Sequence, residues 1–323
     1  MFEVVFLGTS AAAPSIHRNL SGHMILAADQ RFLLDCGEGT QRQILRSGVG
    51  FKRLHHVLLT HAHLDHILGL GGLVSTLSRW EGIESLAIFG GKHTLNRVER
   101  LIYGVVLDAA RSDFDIRLID IGPGVIWESS KFQVRAFPAR HRGRSNFGYI
   151  FEERSFRPFL VDRAEELSVP AGPERRQLVL GNCITLVDGR TIAPDDVLGP
   201  VEKGTKVVFG GDGESNDDLL HAASGADLLI SEATFLEEEA EEARNFGHTT
   251  AKRAARLAKQ AGVKNLILTH FSRRYREREI LVEARNEFPQ ARLARDLDHY
   301  VIKRGGKMTQ KKKDAKEIHD RSI

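Results

Sequence analysis

Short runs of hydrophobic residues recur along the chain, and most are as long as one β-strand or one short helix. Runs rich in Val, Ile, Leu and Phe that are bounded by polar or turn-forming residues predict buried strands. They lie at residues 3–7, 23–28, 31–36, 56–60, 86–89, 116–119, 131–137, 147–152, 206–210, 227–231 and 263–269. Between them, the apolar spacing predicts helices at residues 39–46, 67–78, 95–103 and 251–261. Strands that alternate with helices predict an α/β fold.

This pattern breaks between residues 153 and 200. Five of the nine prolines lie there, and the turn signals Gly172-Pro173, Gly181-Asn182 and Asp188-Gly189 interrupt the segment. Few apolar residues fall on any one periodic face. We therefore predict a domain over residues 1–304 with an insertion at about 153–200 that projects from it. A surface loop with a small hairpin is the plainer alternative.

Charge is nearly balanced over the whole chain, with 46 Lys and Arg against 43 Asp and Glu, which does not by itself indicate a nucleic-acid-binding protein. Residues 301–323 carry eight basic and three acidic residues, which leaves 38 basic and 40 acidic residues for the rest. Low hydrophobicity predicts that residues 305–323 form a disordered basic tail. No stretch resembles a signal peptide or a membrane span, so we expect a soluble, cytoplasmic protein.

Histidines and carboxylates give the strongest chemical signal. The two cysteines are too few for a Cys-rich metal site. The segment His61-Ala62-His63-Leu64-Asp65-His66, however, places four potential ligands in six positions directly after a predicted strand. Neutral imidazole and carboxylate both bind zinc. Because such close neighbours cannot all reach one tetrahedral ion, they indicate two ions held close together, which suits displacement at phosphorus.

Three more candidate ligands each follow a predicted strand, where open α/β sheets place their sites. They are His141, Asp212 and His270. We expect them to join the four ligands of the first loop.

Further motifs accompany these ligands at residues 6–10 (FLGTS), 34–41 (LDCGEGTQ), 231–235 (SEATF), 247–250 (GHTT) and 269–275 (THFSRRY). The ligand pattern resembles that of the metallo-β-lactamase superfamily. Together with these motifs it resembles the ribonuclease Z family of tRNA 3′-processing endonucleases, from the first predicted strand to about Tyr275. The resemblance implies an αββα sandwich with two zinc ions per subunit at one edge.

The resemblance also implies a division of roles among the side chains. One zinc ion would be held by His61, His63 and His141, the other by Asp65, His66 and His270, and Asp212 would bridge them. Asp65 would also accept a proton from the attacking water, His248 would protonate the leaving ribose oxygen, and Glu232 would orient His248. The residues alone leave His248 open to a plainer interpretation, a helix-start residue ahead of Thr249.

An RNA-binding surface is implied in the same way. Arg18 and Asn19 match a loop near the tRNA acceptor end, Gly172 and Pro173 fall in an arm that clasps the tRNA elbow, and Arg274 and Tyr275 would bind phosphate. Such arms usually serve the neighbouring subunit. The resemblance therefore implies a homodimer that cuts pre-tRNA after the discriminator base and leaves a 3′-hydroxyl on the tRNA.

Arginines cluster beside two predicted ligands, and their planar forks suit phosphate contacts. The clusters are Arg135, Arg140, Arg142 and Arg144 around His141, and Arg273, Arg274, Arg276 and Arg278 after His270. The net surplus of positive charge lies in residues 301–323, but these arginine clusters place positive charge locally where an RNA would need it.

Three positions depart from the family pattern. Leu64 stands where many relatives have Gly, Gly213 where they often carry Thr, and Ser231 where His is common. The last two put in doubt a hydrogen-bonding role beside the ligands, although none of the three is a predicted ligand.

Two other functions are compatible with the residues. A phosphodiesterase of the same superfamily that acts on small molecules would need neither the arm nor the acceptor-end loop. A noncatalytic RNA-binding relative would have no need for a complete ligand set, yet all seven predicted ligands are present.

Overall fold

The computed structural model describes residues 1–79, 83–107, 114–143 and 145–311. Two β-sheets pack face to face between two layers of helices, which confirms the predicted αββα sandwich. The strands are β1 (Phe2–Gly8), β2 (Gly22–Ala27), β3 (Gln30–Leu34), β4 (Leu54–Leu58), β5 (Ser85–Gly90), β6 (Asp115–Asp120), β7 (Gly124–Glu128), β8 (Phe132–Pro138), β9 (Phe147–Glu153), β10 (Ile184–Thr185), β11 (Thr191–Ile192), β12 (Lys206–Phe209), β13 (Leu228–Glu232), β14 (Leu266–Thr269), β15 (Arg292–Leu293), β16 (His299–Ile302) and β17 (Met308–Gln310).

The helices are mostly short, as the sequence pattern predicts. They are α1 (Thr40–Arg46), α2 (Leu64–Ile67), α3 (Leu70–Leu77), α4 (Lys92–Leu101), α5 (Val161–Glu166), α6 (Pro173–Val179), α7 (Pro194–Val197), α8 (Asp217–Ala223), α9 (Ala240–Phe246), α10 (Ala251–Gln260) and α11 (Glu277–Glu287), with a π-helical turn at Ile102–Val106. Within the described ranges, none of them is long and apolar enough to cross a lipid bilayer.

The strand order brings several strand ends to one edge. The first sheet runs β17-β16-β1-β2-β3-β4-β5-β6, and the second runs β15-β14-β13-β12-β9-β8-β7. β4 is parallel to β3 and β5, and β13 is parallel to β12 and β14. Parallel strands end at the same edge of their sheet, so the loops after β12 and β14 lie side by side.

Aromatic side chains fill the space between the two sheets. Phe2 and Phe32 of the first sheet meet Phe132 and Phe151 of the second in edge-to-face contacts, with ring centroids 5.4 to 6.1 Å apart. Such pairs add about 0.5–1.5 kcal/mol each to the free energy gained by burial. This rigid interior fixes the positions of the strands whose ends carry the predicted ligands.

The predicted helix over residues 67–78 corresponds to α3, which begins three residues later, at Leu70, because Ile67 is the last residue of the short α2. The turn between the two helices contains Gly69. A β-carbon on Gly69 would lie 2.0 Å from the carbonyl oxygen of Gly37, so the chain passes close to the loop after β3 at this glycine.

The predicted start of the disordered tail at residue 305 is wrong. β17 (Met308–Gln310) pairs with β16, with Met308 opposite Ile302, and Met308 packs against the core between the sheets. The low average hydrophobicity of the segment hides one strand at the edge of the sheet. The rest of the predicted tail, residues 312–323, lies outside the described residues, as does Arg144.

The segment Glu153–Gly204 forms a compact unit of its own. It contains α5, α6, α7 and the hairpin of β10 and β11. These elements surround a small apolar core of Ala164, Val169, Leu178, Ile192, Val197 and Leu198. The insertion is therefore more ordered than a surface loop. Its core residues are too scattered along the chain to produce a periodic pattern.

Candidate metal centre

The seven predicted ligands meet at one edge of the sandwich. The segment between β4 and α3 supplies four of them, and the loops after β8, β12 and β14 supply one each. Their ligand atoms form three groups in which all atoms lie within 4.8 Å of one another. The groups are His61 with His63 and His141, Asp65 with His66 and His270, and His61 with His66 and Asp212.

Asp212 lies between the two outer groups. Its Oδ2 atom is 3.2 Å from Nε2 of His66, 3.1 Å from Nε2 of His270 and 4.0 Å from Nε2 of His61. Burial opposes the ionisation of Asp212, but the imidazoles of His270 and His66 lower its pKa well below the usual value. This carboxylate is therefore charged and placed between two sets of imidazoles.

Hydrogen bonds orient the imidazoles with Nε2 toward this centre. Nδ1 of His66 donates to Oδ2 of Asp35 at 2.7 Å, and Nδ1 of His141 donates to the carbonyl oxygen of Gly247 at 2.6 Å. A protein acceptor on Nδ1 fixes the tautomer whose Nε2 lone pair is available.

Two threonines orient the remaining buried imidazoles. The Thr60 hydroxyl donates to Asp35, and its oxygen is 3.0 Å from Nδ1 of His61. The Thr234 hydroxyl is 2.6 Å from Oε2 of Glu232 and 3.0 Å from Nδ1 of His270. Each threonine hydroxyl donates its proton to a carboxylate. The hydroxyl oxygen therefore accepts a hydrogen bond from the Nδ1–H group of the neighbouring histidine.

The result is a set of buried nitrogen atoms that a metal cation would satisfy. Nε2 of His61, His66 and His270 is buried and has no hydrogen-bond partner among the described residues. Leaving such an atom unpaired costs about 1–3 kcal/mol. Burial also lowers the pKa of His61 and of His63, so both imidazoles are neutral, the form that binds metals. The residues fit a metal centre.

Glu232 and His248 form a pair beside the ligands. Nδ1 of His248 is 2.8 Å from Oε1 of Glu232, and its ring centroid is 4.8 Å from that of His141 and 5.6 Å from that of His270. Burial opposes the charged imidazole, but the Glu232 carboxylate outweighs it and raises the pKa of His248 to about 9. Below that pKa the imidazole of His248 is therefore protonated, and it lies next to the predicted ligands.

Two of the predicted RNA-binding residues, Arg18 and Asn19, make contacts within the protein. Arg18 is half-buried. Its guanidinium donates to Glu277 at 2.6 Å and to the carbonyl oxygen of Ala294 at 2.9 Å, and it lies over the ring of Phe271. The backbone amide of Asn19 donates to Asp296. Both residues thus hold the loop after β1 in place.

The other predicted RNA contacts differ in exposure. Arg274 is exposed and paired with Glu239 at 3.2 Å, and Tyr275 packs half-buried against the outer helices of the second sheet. In the insertion, Gly172 and Pro173 are exposed at the start of α6.

Comparisons with known proteins identify the family. The chain is 46% identical to a ribonuclease Z of Bradyrhizobium diazoefficiens over 94% of its own length and 100% of the relative's. The chain belongs to the ribonuclease Z family.

Solved structures agree with this family and with its fold. Human tRNase Z, short form, superposes with a TM-score of 0.65 at 25% identity, over 92% of this chain and 98% of that one. The metallo-β-lactamase fold protein YhfI of Bacillus subtilis has a TM-score of 0.67 at 20% identity, over 93% and 100% of the two chains. The molecule is a metal-dependent endoribonuclease of the hydrolase class with the metallo-β-lactamase fold.

A family model described as anti-Pycsar protein Apyc1 matches residues 2–158. This is less than half of the chain. It includes the first ligand loop and His141 but not Asp212, His248 or His270, so it does not alter the assignment to the ribonuclease Z family.

Two departures from the ribonuclease Z pattern have a structural explanation. Gly213 donates its amide to Glu232 at 2.7 Å, and a β-carbon there would lie 2.9 Å from the carbonyl oxygen of Arg140. The hydroxyl of Ser231 donates to the carbonyl oxygen of Glu232. Both positions therefore support Glu232 in this member of the family.

Sequence reasoning missed two contributors to the site. Asp35 accepts hydrogen bonds from His66 and Thr60. The one sequence feature that indicated a role for Asp35 was its place in the LDCGEGTQ motif. The backbone amide of Ala12 donates to Oδ2 of Asp65 at 3.0 Å. Ala12 has a φ of 57°, a left-handed conformation that is strained for alanine, and no side-chain pattern indicates such a contact.

Asp35→Asn should lower metal affinity about 10- to 100-fold, because an amide cannot accept from both His66 and Thr60 as the carboxylate does. Isothermal titration of the metal-free protein with Zn²⁺ measures this directly. Asp29→Asn is the matched control, since Asp29 is exposed in the turn between β2 and β3. Equal affinities for the two variants would contradict the role given to Asp35.

Proposed function

We propose that this member of the ribonuclease Z family removes the 3′ extension of precursor tRNA, cutting after the discriminator base with two bound zinc ions. The observation that carries the proposal is the convergence of seven ligands with the Glu232–His248 pair at one edge of the sandwich. The 46% identity to a ribonuclease Z over its full length supports the RNA substrate. A cytoplasmic location is part of this proposal.

Two groups of side chains would hold the ions. One consists of His61, His63 and His141, the other of Asp65, His66 and His270, with Asp212 between them. Bound there, two metal ions would polarise the phosphodiester and make water a better nucleophile near neutral pH. Zinc suits a donor set rich in imidazole.

Two side chains move protons in this proposal. Asp65, held by the amide of Ala12, accepts a proton from the attacking water. His248 donates a proton to the leaving 3′-oxygen of the ribose, so that the tRNA ends in a 3′-hydroxyl. Glu232 favours the charged form of His248 and orients its ring.

RNA contacts are proposed for three regions. Arg274 and Tyr275 lie close in sequence to His270 and would bind phosphate near the scissile bond. Arg18 and Asn19 would hold the loop after β1 where it can contact the acceptor end of the tRNA. Gly172 and Pro173 belong to the insertion, which we propose clasps the tRNA elbow.

Replacing the insertion Glu153–Gly204 by a short Gly-Ser linker should weaken binding of precursor tRNA at least about 10-fold but spare hydrolysis of bis(p-nitrophenyl) phosphate. The small ester needs only the metal centre, whereas the tRNA elbow would lose its contact. Binding is measured by fluorescence anisotropy and hydrolysis by absorbance. Equal losses on both substrates would contradict the proposed arm.

We propose a homodimer in which exposed apolar side chains become buried at the interface. Those proposed for the interface are Leu45, Leu64, Leu68, Tyr103 and Val105. Val105→Asp should therefore convert a dimer into a monomer in light-scattering measurements. Val282→Asp, at an exposed position on α11, is the control that should stay dimeric. A monomeric wild type would contradict the proposal.

The function is tested by incubating the Zn²⁺-loaded protein with a 3′-extended precursor tRNA, an unstructured RNA of equal length and a panel of small phosphodiesters. We expect cleavage of the precursor to be the fastest. Preference for a small phosphodiester would favour another hydrolase of this fold. Absence of bound metal and of turnover, with RNA binding retained, would indicate a noncatalytic relative.

A further inference from the structure

Phe246 is an exposed aromatic side chain beside the candidate metal centre. All 17 phenylalanines lie in the described residues, and Phe246 is the one that is exposed, with 46% of its surface accessible. A benzyl group left in water gains nothing from burial. The exposed part of the ring therefore offers apolar surface to a ligand beside the centre.

The surroundings of Phe246 hold its ring in a fixed orientation. It is the last residue of α9, and Gly247 ends that helix with a φ of 69°. The ring lies nearly parallel to that of the buried Phe235, with an angle of 13° and centroids 6.2 Å apart. The Arg142 guanidinium lies 4.9 Å from the ring centroid and donates to the carbonyl oxygen of Asn245.

Phe246 is followed directly in the chain by two residues of the proposed site, Gly247 and His248. The carbonyl oxygen of Gly247 accepts the hydrogen bond that orients His141. His248, the proposed proton donor, follows, and its ring centroid is 6.1 Å from that of Phe235. Phe246 and Arg142 thus lie close enough to His248 for a single nucleotide to contact all three side chains.

We propose that Phe246 and Arg142 form a platform on which the nucleobase on the 5′ side of the scissile phosphate stacks. The inference rests on the proposed function, because it takes the 3′-oxygen protonated by His248 to belong to that nucleotide. The base of that nucleotide is attached to the same ribose, so it would lie within reach of the ring of Phe246. Aromatic rings and guanidinium planes bind any base through its π-face, so the platform holds the nucleotide without selecting its identity.

The test compares Phe246→Leu with Phe246→Trp on three precursor tRNAs. One is unmodified, one lacks the base on the 5′ side of the cut, and one lacks the base on the 3′ side. Loss of a base–aromatic stack lowers affinity between about 5- and 150-fold. We expect Phe246→Leu to lower kcat/KM about 10-fold on the unmodified substrate and less than about 2-fold on the one without the 5′ base. Phe246→Trp should retain activity, as should the control Val282→Ala on α11.

A second readout does not depend on cleavage. 2-Aminopurine at the 5′ position should lose fluorescence on binding to the metal-free protein and lose less with Phe246→Leu. Equal losses of kcat/KM on substrates with and without the 5′ base, or a dependence on the 3′ base instead, would overturn the platform. Failure of the wild type to cut any precursor would count against the proposed function, while the fluorescence still tests the platform.

Discussion

Replacing Asp65 with Ala will abolish cleavage of precursor tRNA, lowering kcat at least about 1,000-fold. Oδ2 of Asp65 lies 3.5 Å from Nε2 of both His66 and His270. The substitution therefore removes a proposed metal ligand and the proposed proton acceptor at once. Affinity for the RNA should be largely kept, because phosphate contacts far from the centre supply most of it. Single-turnover kinetics and anisotropy measure the two quantities separately.

Asp29→Ala is the matched control for this variant, because it removes an exposed carboxylate from the turn between β2 and β3. It should cleave as the wild type does. Metal analysis should show a lower zinc content for Asp65→Ala alone. Cleavage by Asp65→Ala within a few-fold of the wild-type rate would show that neither role belongs to this side chain.

Replacing His248 with Ala will lower kcat about 100- to 10,000-fold, the usual contribution of a positioned acid. Zinc content should not change, because Nδ1 of His248 is engaged by Glu232 and the ring is in neither proposed ligand group. A precursor with sulfur in place of the leaving 3′-oxygen should restore much of the rate, since a thiolate leaves without a proton. The same substrate should not rescue Asp65→Ala. Absence of rescue for His248→Ala would contradict its role as the acid.

The Glu232–His248 pair also predicts a pH dependence. The charged imidazole is the donor and predominates below its pKa, so the rate should fall as pH rises through that value. Burial opposes the charged form, and the Glu232 carboxylate raises the pKa of His248 to about 9 in the metal-free chain. Glu232→Gln should lower this pKa toward 6.5, as NMR titration of the metal-free protein can measure. An unchanged or higher pKa in the variant would contradict the pairing.

The ligands could be predicted from the sequence because of their local spacing. Four ligands lie within six residues, and each of the other three follows an apolar strand. The rule that strand ends at one sheet edge carry the site predicts a shared location, but the packing of the two sheets that brings β4 next to β8, β12 and β14 is not visible in the sequence. Alternating strands and helices predicted an α/β fold, whereas the αββα order of layers came from the resemblance to the metallo-β-lactamase superfamily. Identity with family members confirms the family and the fold, whereas the role of each ligand stays a proposal.

Contacts made by the backbone, or between residues far apart in the sequence, could not be predicted from the sequence. The amide of Ala12 reaches Asp65 from 53 residues away, and the carbonyl of Gly247 reaches His141 from 106 residues away. Neither residue has a side chain that could signal its role. The strand β17 was missed because average composition conceals a three-residue edge strand whose single apolar residue, Met308, reaches the core.

The most direct test of the proposed reaction is to map both ends of the products released from a 3′-extended precursor tRNA by the Zn²⁺-loaded protein. The proposed function predicts one cut after the discriminator base, and in this reaction water attacks phosphorus while His248 protonates the 3′-oxygen. It also predicts a 3′-hydroxyl on the tRNA and a 5′-phosphate on the trailer. A 2′,3′-cyclic phosphate on the tRNA, or cuts at scattered positions, would contradict it.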